Sequence, residues 1–180
     1  MNNNNPMTQV VIQGEYKVSS NPNCKMTTVL GSCVATCMFD STAGIGGMNH
    51  FLLPGGVDST SEAKTYGLHL MECLINGLLK RGAMRSRIQA KIFGGAYITK
   101  GLPDIGSQNM EFARQFLAYE KIPCVGESLG GNSARRVRFW PTTGHAKQLL
   151  IHEPNLDKVE QKISRAQAVQ KQPSADLELF

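Results

Sequence analysis

From Thr27 to Asp40 the chain reads TTVLGSCVATCMFD. Val34 to Phe39 is small or apolar at nearly every position, as a buried strand is. Asp40 to Gly44 carries turn residues, and Ile45 to Leu53 is a second such run that Pro54 ends. Two strands joined by a short turn predict an antiparallel hairpin. Immediately before the first strand stands Gly31-Ser32-Cys33. Glycine reaches backbone angles that other residues avoid, so this triplet can present a thiol at a loop–strand junction.

Outward from the hairpin, strands and helices mix. Val10 to Ile12 is a short strand candidate, and Ser19 to Asn23 is turn-like. Ser59 to Glu62 has the Ser-x-x-Glu spacing of a capping box. Leu70, Leu74 and Leu78, with Met71, Ile75 and Leu79 beside them, form one apolar stripe of a helix. Lys80 and Arg81 suit its negative end, and Gly82 can cap it. Ile88, Ala90 and Ile92 alternate as a strand does, up to Gly94-Gly95. Ser107 to Lys121 reads as a second helix with Phe112, Phe116 and Leu117 inward. Pro123 to Glu127 and Val137 to Trp140 read as strands around Gly130-Gly131, and Ala146 to Ile151 as the last strand. Strict alternation is missing, which favours α+β, or a mixed-sheet α/β sandwich, over a doubly wound fold. The expected organisation is a disordered start (1–9), one domain (10–153) and an extension (154–180). In the extension Leu156, Val159, Ile163 and Ala166 recur at helical spacing.

Apolar residues make up 41% and charged residues 18% of the 180, a globular composition. No apolar run approaches the roughly 20 residues that span a bilayer. The opening MNNNNPMTQ lacks the basic start and apolar stretch of a signal peptide. The expectation is a soluble cytoplasmic protein with no membrane insertion. Five cysteines at scattered spacing argue against a disulfide framework. The net charge is +5, with basic residues gathered at Lys80, Arg81, Arg85, Arg87 and Lys91 and at Arg135, Arg136 and Arg138. That is a solvated surface or a face for an acidic partner; no nucleic-acid motif accompanies it. No Gly-x-Gly-x-x-Gly opens a helix and no Walker A sequence is present, so nothing supports nucleotide binding.

A thiol becomes a good nucleophile near neutral pH when an imidazole takes its proton. His50 lies on the strand expected to pair with Val34 to Phe39, which makes it the best-placed base for Cys33. His69, His145 and His152 fall elsewhere. Taken singly, a cysteine in a glycine-rich turn is more often a packed small side chain. A zinc site competes for the same residues. Cys33, Cys37 and His50 resemble three ligands of a Cys2His2 finger, but no second histidine follows His50 at the required three to five residues.

TTVLGSCVATCMFD is followed in order by GGMNHFLLP, by AKIFGGA at Ala90 to Ala96, by IGSQN at Ile105 to Asn109 and by GGNSARRVRFWPTTG at Gly130 to Gly144. This ordered set, across Gly14 to Ile151, resembles the chemoreceptor glutamine deamidase family, CheD. The resemblance implies a three-layer α/β/α sandwich similar to the catalytic domain of deamidating bacterial toxins. It implies a protein-glutamine glutaminase, which hydrolyses glutamine side-chain amides of methyl-accepting chemoreceptors to glutamate and ammonia through a thioester. Cys33 falls on the family's nucleophile and His50 on its base. Thr27 falls on the threonine that orients the histidine; Thr28 is adjacent, and the spacing favours Thr27. Gly31 and Ser32 are implied at the oxyanion site, and Gly94, Gly95 and Asn109 along the substrate groove. No cofactor or metal is implied. The implied partners are chemoreceptor cytoplasmic helices and a CheC-type phosphatase. A thiol hydrolase acting as receptor methylesterase and a non-catalytic chemotaxis adaptor stand as alternatives.

Overall fold

The computed structural model describes residues 7–53, 61–98 and 104–151, without the side chains of 61–64. In chain order the elements are β1 (Met7–Val10), β2 (Glu15–Ser19), β3 (Cys24–Leu30), β4 (Val34–Asp40), β5 (Ile45–Phe51), α1 (Ser61–Lys80), β6 (Gln89–Gly94), α2 (Ile105–Tyr119), β7 (Cys124–Leu129), β8 (Ala134–Trp140) and β9 (His145–Ile151). They form two sheets, one of order β2-β5-β4-β6-β7 and one of order β1-β3-β8-β9.

The expected hairpin is β4–β5, and it lies at the centre of the five-stranded sheet. Every residue of both strands is buried, because that sheet is covered on both faces. On one face Val34, Met38 and Phe51 meet the α1 stripe of Leu70, Met71, Leu74, Ile75 and Leu78, together with Ala113, Phe116 and Leu117 of α2. On the other face Ala35, Cys37, Phe39 and Met48 meet Met26, Leu30, Val137 and Phe139 of the four-stranded sheet. A strand buried on both faces loses the polar half of its alternation, which is why this stretch reads as an unbroken apolar run. Truncating one fully buried leucine of the stripe to alanine costs about 2–5 kcal/mol.

The mixed α+β sandwich forms as expected. Among the described residues its layers run helices, five-stranded sheet, four-stranded sheet, so a sheet and not a helical layer stands opposite the helices. Strand β3 shows why: Cys24, Met26, Thr28 and Leu30 are buried and Lys25, Thr27 and Val29 are only half-buried, the alternation of a sheet with one packed face.

Several boundaries differ from the sequence expectation. Strand β1 begins at Met7, inside the segment expected to be disordered, and pairs parallel with β3 from Met7 opposite Cys24. Helix α2 begins at Ile105 because the Asp104 side chain accepts from Ser107 N at 3.0 Å and so caps it. The strands on either side of Gly130-Gly131 belong to different sheets: β7 pairs parallel with β6, while β8 lies between β3 and β9. The capping box from Ser59 and the extension 154–180 lie outside the described residues.

At one end of the sandwich the chain passes between the sheets three times, at residues 11–14, 31–33 and 130–133. The segment after β6 binds two of these crossings together. Gly95 N donates to Cys33 O at 2.8 Å and Ala96 N to Gly31 O at 2.9 Å, while Tyr97 N donates to Gly131 O at 2.8 Å and Gly94 O accepts from Gly130 N at 2.9 Å. Cys33 stands in the middle of this junction.

Candidate active site

Strand alternation places Ala35 and Cys37 on the face of β4 that looks toward the four-stranded sheet, and Cys33, the residue before β4, packs half-buried against that same core. Ala35 is directly opposite His50 on β5. Cys33 stands one residue before β4, so continuing the register beyond the Val34–Phe51 pair sets His50 diagonally across from it, a relation that in a regular ladder puts β-carbons about 7 Å apart and side chains in reach. The Cys33 thiol also donates to the side-chain oxygen of Gln13 at 3.5 Å.

His50 is only 3% exposed. Its Nδ1 lies 2.8 Å from Thr28 Oγ1 and 3.3 Å from the Val11 carbonyl oxygen. A carbonyl only accepts, so Nδ1 carries the proton and the basic lone pair sits on Nε2. That Nε2 is buried and has no hydrogen-bond partner. Burial disfavours the imidazolium and pulls the pKa of His50 from 6.5 to about 4, with the Val11 carbonyl opposing. The imidazole is therefore neutral near pH 7, with its lone pair on the unpartnered nitrogen.

The threonine that reaches His50 is Thr28. Thr27 turns away: its hydroxyl donates to Val137 O at 2.9 Å, and its side chain is on the outer face of β3 with Lys25 and Val29. Successive side chains of a strand alternate between faces, so two neighbouring threonines cannot both reach one imidazole. The hydroxyl beside His50 is thus that of Thr28, where the expectation had named Thr27. The alternation was present in the sequence, since Cys24, Met26 and Leu30 share the parity of Thr28.

The residues expected along the groove hold the Cys33 loop by its carbonyl oxygens. Asn109, fully buried, donates to Ser32 O at 3.0 Å and accepts from Leu53 N at 2.8 Å, so it ties the loop to the end of β5. Gly94 has φ +116°, and a β-carbon there would stand 2.1 Å from Cys33 O. Only glycine allows that approach. Gly95 N donates to Cys33 O and Ala96 N to Gly31 O.

The other thiols differ in kind. Cys24 and Cys37 are buried, and burial pushes the Cys37 thiol up, which makes it inert. Cys73 lies 3.5 Å from His69 Nε2 on α1, and Cys124 is exposed on β7. Arg135, expected on a binding face, is 3% exposed and donates to Ser128 O and Gly130 O, so it braces the β7–β8 crossing. Arg136 and Arg138 are exposed. Among the described residues no group of three His, Cys, Asp or Glu side chains gathers in metal-binding proximity. No described helix is long and apolar enough to cross a membrane.

Residues 52–148 match the family model described as CheD chemotactic sensory transduction. A probable chemoreceptor glutamine deamidase CheD of Rhizobium etli is 50% identical over 173 residues, covering 94% of each chain. The chain belongs to the CheD family. A second CheD relative, from Caulobacter, also described as a probable chemoreceptor glutamine deamidase, is 52% identical over 172 residues, covering 94% of this chain and 91% of its own. Among solved structures, a hypothetical protein YfiH of Bacillus licheniformis aligns with a TM-score of 0.41 and 15% identity over 63% of this chain and 49% of its own. That likeness is too slight to add to the description of this CheD chain.

Proposed function

We infer that this chain hydrolyses the side-chain amide of glutamine residues in the cytoplasmic helices of chemoreceptors, releasing ammonia and leaving glutamate. The names carried by its CheD relatives supply the substrate class. The observation that carries the chemistry is the buried, unpartnered Nε2 of His50, one diagonal step from the Cys33 thiol. An orphaned buried nitrogen costs free energy that a purely structural histidine has no reason to bear.

The resting pair is a thiol beside a neutral imidazole. His50 Nε2 takes the Cys33 proton as the sulfur attacks the amide carbon. The resulting imidazolium gives that proton to the leaving nitrogen, ammonia departs, and a thioester remains. His50 then activates a water that displaces the thiol and leaves a carboxylate. Thr28 and the Val11 carbonyl hold the proton on Nδ1 throughout, the part that a carboxylate plays in other triads.

The oxyanion site follows from the carbonyls already engaged. Carbonyl and N–H of a trans peptide point in opposite directions. The oxygens of Gly31 and Ser32 are drawn toward Ala96 and Asn109. The N–H groups of Ser32 and Cys33 therefore point the other way, toward the side from which a substrate amide would approach. In this reading Gly94, Gly95 and Asn109 act by shaping the loop.

Arg136 and Arg138 of β8, with Lys147 opposite Arg138 on β9, make an exposed basic face that suits acidic receptor helices. The same face is available to a CheC-type phosphatase. The test is intact-mass analysis of a purified receptor incubated with wild-type protein and with Cys33→Ala. Each modified glutamine gains about one dalton as –NH2 gives way to –OH. Full conversion by Cys33→Ala sinks the reading.

A further inference from the structure

We propose that Gln13 is itself a substrate of Cys33, so that the protein deamidates its own β1–β2 loop. The inference rests on the activity inferred above and adds a modification site within the chain.

Gln13 lies in the first crossing between the sheets, with its side chain exposed. The crossing is fastened to the site on both sides of it. Val11 N donates to Thr27 O at 2.9 Å, Val11 O faces His50 Nδ1 at 3.3 Å, and Gly14 N donates to His50 O at 2.8 Å. These bonds fix the backbone on either side of Gln13, and its carboxamide oxygen lies 3.5 Å from Cys33 Sγ. Among the described residues the thiol is the one hydrogen-bond partner of that carboxamide. Its functional group is the primary amide that the enzyme consumes. Reacting atoms brought to about 3–3.5 Å gain the advantage of an intramolecular reaction. The amide carbon is one bond from the contacting oxygen, and rotation about Cα–Cβ and Cβ–Cγ between staggered wells of this exposed side chain brings the carbon to the sulfur.

The atoms balance as for an external substrate. The thiol proton passes to His50 Nε2, the sulfur bonds to Cδ of Gln13, and ammonia leaves with that proton. Water then cleaves the thioester; its oxygen stays on Cδ and a proton returns to the sulfur. The product is a glutamate at position 13. Its carboxylate stands at the thiol and disfavours the thiolate by like charge. Self-deamidation is therefore also a brake on the enzyme.

The experiment incubates freshly purified wild type and Cys33→Ala in H2(18)O, with a receptor sample treated in parallel. Peptide mass analysis then reads position 13. The expected result in wild type is a gain of about three daltons there, with a first-order rate independent of protein concentration, as an intramolecular step requires. Cys33→Ala keeps Gln13. Wild type that already carries glutamate at position 13 on purification, where Cys33→Ala still carries glutamine, supports the proposal equally. A receptor that is deamidated while position 13 stays glutamine overturns it and leaves the receptor activity standing. If neither changes, both fall. Conversion at the same rate in Cys33→Ala marks spontaneous chemistry and also overturns it. As a second measurement, Gln13→Glu slows iodoacetamide alkylation of Cys33 by about tenfold relative to Gln13→Ala; equal rates remove the brake from the proposal.

Discussion

His50→Gln should flatten the loss of stability that this protein undergoes on mild acidification. The imidazole is 3% exposed, and its pKa falls from 6.5 to about 4 on burial. As the pH drops below 6.5, the unfolded chain takes a proton at His50 while the folded chain does not. The unfolded state then binds more protons, so the free energy of unfolding falls with pH until the folded pKa is reached. At 1.36 kcal/mol per unit, the whole window is worth about 3 kcal/mol. Relative to neutral pH, the loss is about 1.4 kcal/mol at pH 5.5 and about 2.5 kcal/mol at pH 4.5. Other groups titrate in both proteins, so the difference between the two pH curves isolates His50. Asp40 does not intrude: the Arg87 guanidinium holds its carboxyl at about 2, so its contribution is lost as the pH falls from 3.8 through about 2. Urea unfolding of both proteins at about pH 7.5, 5.5 and 4.5 measures the difference, whatever fixed offset the substitution adds. Parallel curves for wild type and His50→Gln would refute the buried neutral imidazole.

The same neutral base predicts that kcat/KM for receptor deamidation persists at pH 5.5 and declines only toward about pH 4; an acid limb centred at 6.5 contradicts it. Thr28→Val should lower kcat about tenfold, the worth of one orienting hydrogen bond, while Thr27→Val stays within about twofold of wild type; steady-state kinetics of the pair decides which hydroxyl serves His50. Gly94→Ala drives a β-carbon onto the Cys33 carbonyl at a φ that side chains rarely adopt, and should cost about 2–4 kcal/mol with loss of activity, read by unfolding and ammonia release. Asp40→Ala leaves Arg87, Met84 N and Ala43 N without their acceptor and should destabilise by about 3 kcal/mol in the same unfolding assay.

The relation between Cys33 and His50 was legible because a hairpin is local. Its turn sets Asp40 opposite Ile45, and five steps back along each strand bring Ala35 opposite His50. The α1 stripe was legible for the same reason, since helical spacing repeats within a few residues. The threonine that faces His50 was legible in principle, through the parity of Cys24, Met26 and Leu30, but motif spacing pointed to its neighbour.

What the chain could not announce is what lies far apart along it. Thr27 meets Val137 across 110 residues, and Asn109 meets Ser32 across 77. Neither contact leaves a periodic trace, because each depends on how two sheets stack and where the chain crosses between them. The pKa of His50 belongs to the same class: desolvation is a property of the assembled layers, not of a histidine on a strand. Local pattern thus determined the strands, the helices and the nearness of Cys33 to His50. Tertiary packing alone decided which threonine faces the imidazole, which amides brace the thiol loop, and that Gln13 rests upon Cys33.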